Sequence, residues 1–278
     1  MNHRFPAPGK LNLFLHVVGR RADGYHLLQS IFRLIDRADI VHLTLRDDGV
    51  IARHGEVPGV PEAQDLSVRA ARLLQAHAPP GSGVSIRLDK NLPMGGGLGG
   101  GSSDAATVLL ALNRLWQVNL TRPELQKLAL QLGADVPMFI FGQTAFAEGV
   151  GDILQPVEVA PAWYVVLTPS VQVPTASVFA APELTRDTPP LKIAPFSAGM
   201  GRNDLQPVVM SRHPEVASHV EWLKQFGDAR MTGSGACVFA AFESESAAQA
   251  VVQRMPGSMR GFVAQGLDRH PLYDFCAG

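Results

Sequence analysis

Two hydrophobic rhythms run along the first half of the chain. Residues 11–19 (LNLFLHVVG) and 39–47 (DIVHLTLRD) are apolar and β-branched, the second alternating at Ile40, His42 and Thr44. Residues 83–90 (GVSIRLDK) alternate at Val84, Ile86 and Leu88. Each run predicts a strand. Residues 65–77 instead place Leu66, Ala70, Leu73 and Leu74 on one helical face, behind Asp65 as a cap. A strongly helical run spans 103–116, and Thr121 with Glu124 forms a capping box opening a third helix that Gly133 stops.

The pattern changes near 150–160. Pro156, Pro161, Pro169, Pro174, Pro182, Pro189, Pro190 and Pro195 punctuate the next stretch, which reads as a domain boundary. Two domains are expected, 1–155 and 156–278. Beyond the boundary, strands at 163–169, 236–242 and 261–267 alternate with helices at 214–227 (Val216, Val220 and Leu223 in register) and 244–255. That alternation predicts a small open-faced α+β second domain.

Composition narrows the class. The 278 residues are 46% hydrophobic and 18% charged, as in a folded globular chain. Lys plus Arg is 24 and Asp plus Glu is 25, so there is no broad basic face and no nucleic-acid partner is expected. The two cysteines, Cys237 and Cys276, offer neither a disulfide framework nor a cysteine-rich zinc site. Basic residues precede an apolar stretch at the N-terminus, but Pro6, Pro8, Gly9, Lys10 and Asn12 interrupt it as a signal peptide would not be. No apolar run nears the ~20 residues of a membrane helix. A cytoplasmic protein without a membrane partner is expected.

The densest signal is LPMGGGLGGGSSDA at 92–105, six glycines in seven positions running straight into a helix. Such a loop exposes several backbone N–H groups at the positive end of the helix dipole, a place to hold phosphate. Ser102 and Ser103 add hydroxyls that cap the helix or reach a phosphate oxygen or its metal. The P-loop pattern fails, because Gly101-Ser102-Ser103 stands where Gly-Lys-Ser/Thr is required. The dinucleotide pattern fits Gly95, Gly97 and Gly100, but in a glycine run that match is nearly automatic. A flexible linker is disfavoured, since linkers are rarely followed at once by an amphipathic helix.

These residues carry a resemblance. PMGGGLGGGSSDAA resembles the second motif of the GHMP kinases, PAPGKLNLFLHVVGRRADGYH (6–26) resembles their N-terminal motif, and TGSGACVF (232–239) resembles their third, glycine-rich motif. All three stand in the family's order. The resemblance implies an α+β fold of two domains, the first like ribosomal protein S5 and the second ferredoxin-like, with the site in the cleft between them. It implies transfer of the γ-phosphoryl of ATP, with Mg²⁺, to a hydroxyl of a small molecule.

Residue by residue, the resemblance places ATP on Pro93, Met94, Gly95, Gly96, Gly97, Leu98, Gly99, Gly100, Gly101, Ser102 and Ser103. Lys10 and Asp135, in GADVP, become the catalytic pair: the carboxylate accepts the hydroxyl proton and the ammonium stabilises the alkoxide that forms. By residue type alone, Lys10 reads as a strand-edge lysine and Asp135 as a helix cap. The combination of KLNL, DGYH, GGGLGGGSS and GADVP is similar to the branch of the family with a cytidine-diphospho sugar alcohol as acceptor. Tyr25 would then stack on the base, His26 would bond its edge, Phe179 would form the opposing face, and Asn12 would bind the sugar-alcohol part. Gly233 and Gly235 would let backbone approach the phosphate loop, and Cys237 reads as a small buried hydrophobe.

Two departures stand out. Asp65-Leu66 occupies a place where the family commonly has Asn-Leu, and an aspartate lacks the amide donor. No second carboxylate for Mg²⁺ is evident either, so the ion would be held mainly by phosphates and water. Three alternatives remain at this point: a kinase for mevalonate, homoserine or a sugar; an NAD-dependent oxidoreductase; and a non-catalytic nucleotide-sensing module.

Overall fold

The computed structural model describes residues 2–192 and 200–276; Pro195 of the proline-rich stretch lies outside them. The chain opens with two long antiparallel strands, β1 (Asn2–Arg20) and β2 (His26–Arg46). β1 begins well before the predicted 11–19 and runs through Pro6 and Pro8. Proline lacks the N–H that a central strand donates, but within the sheet β1 pairs with β2 alone, and an edge strand tolerates the loss. Register shifts between Pro8 and Lys10 and between Asn12 and Leu15 bulge the strand around the two polar residues of its middle. In β2 the fully buried face is Val41 and Leu43, so the alternation at Ile40, His42 and Thr44 marks the outward side.

β3 (Ile51–His54) runs parallel to β4 (Gly83–Asp89), which pairs antiparallel with β2. α1 (Leu66–Gln75) starts where predicted: the Asp65 carboxylate accepts from the Ser67 N–H at 2.8 Å. α2 (Gly100–Leu115) starts at Gly100 rather than Ser103, with Gly99 at its N-cap, so Ser102 and Ser103 sit inside its first turn and do not cap it. Its residues from Ser103 through Asn113 are all buried, as expected of a helix apolar on every side. α3 (Arg122–Ala129) carries the capping box, with the Glu124 carboxylate accepting from the Thr121 N–H at 2.8 Å. It ends before Gly133, and a short α4 (Val136–Phe141) follows, then β5 (Ala145–Glu148) and β6 (Ile153–Pro156).

The second half supplies β7 (Trp163–Leu167), α5 (Thr175–Phe179), α6 (Gln206–Arg212), α7 (Pro214–Leu223), β8 (Arg230–Met231), β9 (Val238–Phe242), α8 (Glu245–Val252) and β10 (Gly261–Leu267). Its strands follow the order β10-β7-β9-β8, all antiparallel. β10 joins this sheet to the first through Gly266 opposite Ile35 and Leu267 opposite Leu34 of β2. The result is an α+β architecture. Its cores interlock: Leu15 and Val17 of β1 pack among second-half residues, and Leu272, near the C-terminus, packs in the first core.

Candidate active site

The glycine loop is shaped by alternating handedness. Gly95, Gly97 and Gly99 have φ of +69°, +78° and +73°, conformations that L side chains rarely adopt. Space is equally restrictive, since a Cβ on Gly97 would lie 2.4 Å from the Thr232 carbonyl oxygen and one on Gly96 2.6 Å from Cys237 Sγ. The loop is therefore pressed against the third glycine motif, and the Cys237 N–H donates to the Gly96 carbonyl at 3.1 Å. It is pinned to β1 as well, where the Lys10 N–H donates to Leu98 O at 2.9 Å. Cys237 is buried, and burial pushes its thiol up to about 12, so it packs as a hydrophobe.

Lys10 stands where these motifs converge. Its Nζ lies 3.7 Å from Asp135 Oδ2 and donates to Asn12 Oδ1. A Cβ on Gly233 would lie 3.4 Å from that Nζ, and one on Gly99 3.4 Å from Lys10 Cε. Burial lowers the pKa of Lys10, with Asp135 opposing. Asp135 occupies the N-cap position of α4 yet makes no cap bond, leaving its half-open carboxylate facing Lys10. Asn12 is committed on both sides: its N–H donates to Thr232 Oγ1 at 2.9 Å and its amide to Ser30 Oγ at 2.7 Å. The structure thus makes Asn12 a holder of Lys10 at the cavity wall.

One cavity of about 1130 Å³ joins the predicted residues. Lys10, Asn12, Tyr25, His26, Asp135 and Phe179 line it, as do Pro93 to Gly97, Gly99 to Gly101 and Ser102. Leu98 and Ser103 do not: Leu98 is fully buried in the core, and Ser103 is turned inward with no partner for its hydroxyl among the described residues. At one end His26 lies against Phe179, centroids 5.0 Å apart at 31°, while Tyr25 is 66% exposed on its turn.

Asp65, also on the cavity wall, serves two structural bonds. One oxygen caps α1 and the other takes Arg53 Nη1 at 2.7 Å, both side chains buried. Nearby, Lys90 bridges two buried carboxylates, bonding Asp39 and, at 2.5 Å, Asp104 Oδ2. Asp39 also accepts from the N–H groups of Asn91 and Leu92 at 2.5 and 2.7 Å, fixing the approach to Pro93. Burial pushes Asp104 up to about 7 against the pull of Lys90. Among the described residues, no three His, Cys, Asp or Glu side chains gather as a metal site.

Comparison with known proteins agrees with this geometry. The family model for the GHMP kinases N terminal domain matches residues 65–143, and that for the GHMP kinases C terminal matches 190–261. The 4-diphosphocytidyl-2-C-methyl-D-erythritol kinase of Thiobacillus denitrificans is 75% identical over 275 residues, 99% of each chain. The chain belongs to the GHMP kinases. A second relative of the same name, from Nitrosospira multiformis, is 63% identical over 97% of this chain and 93% of its own. Among solved GHMP kinases, a 4-(cytidine 5'-diphospho)-2C-methyl-D-erythritol kinase superposes with TM-score 0.81 at 32% identity, covering 96% of this chain and 99% of that one. A mevalonate kinase superposes at 0.67 with 14% identity over 96% and 100%, a likeness of fold.

Several residues of this GHMP kinase site escaped the sequence reading. Lys90 and Asp104 flank the glycine motif at close range, and a charged residue entering so apolar a helix as α2 was a usable signal. Asp39 and Arg186 join the site through tertiary contacts alone, and no local pattern marks them.

Proposed function

We propose that this chain transfers the γ-phosphoryl of ATP to the 2-hydroxyl of 4-diphosphocytidyl-2-C-methyl-D-erythritol, giving the 2-phosphate and ADP, in the non-mevalonate isoprenoid pathway of the cytoplasm. The observation that carries the reading is the Lys10–Asp135 pair set beside the glycine-rich N-terminus of α2 in one cavity. Phosphoryl transfer needs positioning, charge neutralisation and an oriented nucleophile more than covalent help. Asp135 takes the hydroxyl proton as the oxygen bonds to the γ-phosphorus and the bond to ADP breaks. Lys10 stabilises the developing alkoxide, and the backbone N–H groups at the start of α2, with Ser102, hold the phosphates. Mg²⁺ would supply charge neutralisation on the phosphate oxygens. We take it to be held mainly by phosphates and water, with the Ser102 hydroxyl as the protein group that would reach it.

We take 1–155 as the ATP-binding domain and 156–278 as the second. Tyr25, His26 and Phe179, brought to one end of the same cavity, support a cytosine pocket. Neither a nucleic-acid nor a membrane partner belongs to this reading. The test is ADP release with ATP and Mg²⁺, offering the cytidine-diphospho compound, mevalonate or homoserine in parallel. Turnover with the cytidine compound alone is expected. Turnover with another acceptor overturns the cytosine pocket, and ATP binding without any turnover replaces the kinase by a nucleotide-sensing module.

A further inference from the structure

Arg186 lies in the second half, after α5, and its guanidinium is held as a rigid fork. Nη1 donates to the Leu184 carbonyl at 3.0 Å, and Nη2 donates to those of Phe179 and Ala181 at 3.0 and 2.6 Å. The Nε–H meets His26 Nε2 at 3.1 Å. An arginine has only donors and does not deprotonate in proteins. The imidazole nitrogen facing it must therefore carry a lone pair, which leaves the ring proton on Nδ1. Burial first, then the Arg186 and Arg20 charges, lower the pKa of His26 and keep the ring neutral.

We propose that Arg186 is a positioning residue that fixes His26 as its Nδ1–H tautomer, so that the cavity presents a donor to the pyrimidine ring nitrogen and selects cytosine over uracil. The inference rests on the cytidine reading of that end of the cavity. Neutral cytosine carries a lone pair on N3, whereas uracil carries a hydrogen there. An Nδ1–H complements the first and meets the second donor to donor, and a site built around one hydrogen bond rejects the analogue that cannot make it. Nδ1 has no partner among the described residues, and His26 lines the cavity. The same guanidinium holds the Phe179 carbonyl, so one residue sets both the stacking ring and the hydrogen-bonding ring.

Two measurements test this on the full chain. Long-range ¹H–¹⁵N spectra without ligand, with His26 assigned by the signal lost in His26→Gln, report the tautomer. Wild type is expected to show Nδ1–H, and Arg186→Met a mixture. Calorimetric titration with cytidine 5'-diphosphate and uridine 5'-diphosphate reports selectivity. A preference of about tenfold for the cytidine compound is expected from one hydrogen bond, falling toward unity in Arg186→Met. In turnover, the variant should raise KM for the cytidine acceptor with kcat and the KM for ATP little changed, and Arg186→Lys should restore part of the loss. If Arg186→Met does not fold, the wild-type arms decide. An Nε2–H His26 that still binds the cytidine nucleotide removes the role of Arg186 alone, and equal affinity for both nucleotides removes the selectivity. Failure to bind either nucleotide removes the cytidine reading and the selectivity with it.

Discussion

The Lys10 ammonium, buried in β1, lies 3.7 Å from the half-open Asp135 carboxylate at the start of α4. The two residues come from distant parts of the first half and meet where the glycine loop and the third glycine motif press together. That asymmetry separates their roles. Lys10 is locked by Asn12 and by the glycines around it, whereas Asp135 is free of cap bonds and open to an incoming hydroxyl.

Asp135→Asn should therefore lose catalysis without losing the fold. Removing a general base costs about 10²–10⁴ in rate. We expect kcat for ADP release to fall by that range, while the KM for ATP and the thermal midpoint stay close to wild type. A comparable fall in melting temperature would mean that the carboxylate is structural.

Two glycines of the glycine-rich run, one in the loop and one in α2, should respond in opposite senses to alanine. Gly97 has φ +78° and a Cβ there would lie 2.4 Å from the Thr232 carbonyl oxygen, so Gly97→Ala should cost about 2 kcal/mol or more and abolish turnover. Gly101 is helical, and its nearest neighbour, Leu66 Cδ1, would lie 3.9 Å away. Gly101→Ala should gain about 0.5–1 kcal/mol of stability and yet raise the KM for ATP, because the residue lines the cavity. Denaturant melts beside ATP titrations separate the two effects.

Asp65, where the family commonly has asparagine, is tied to this chain's own Arg53. Asp65→Asn keeps an oxygen to cap α1 at Ser67 but leaves the buried guanidinium without its counter-charge. Breaking one side of a buried pair costs about 3 kcal/mol. Equilibrium unfolding should show that loss, and Arg53→Met in the same chain should recover part of it.

What could be read in advance follows from how far each signal reaches along the chain. Asp65 as a cap, the Thr121–Glu124 box and the apolar face of α7 are local, and each forms as the pattern indicates. The glycine run was legible because its left-handed turns admit almost no other residue. β1 reaches beyond 11–19 because Pro6 and Pro8, which argue against a strand interior, are tolerated at a sheet edge, and that edge is a tertiary fact. For the same reason Asp39 and Lys90, 51 positions apart, gave no hint of meeting, and Arg186 gave none of holding His26 across 160.

Asp104 makes stability depend on pH. Burial holds its carboxyl up to about 7, with Lys90 pulling down and Asp39 and Asp65 pushing up, whereas an unfolded aspartate titrates near 4. Between those values the unfolded chain binds fewer protons than the folded one, so this group's contribution to stability falls as pH rises and levels off above about 7. Asp104→Asn removes the titration while Lys90 keeps Asp39. Thermal melts from pH 5 to pH 8 should show wild type losing roughly 3–6 °C more than the variant across the window. Equal slopes would mean that Asp104 stays ionised throughout, and that Lys90 balances both carboxylates beneath the phosphate loop.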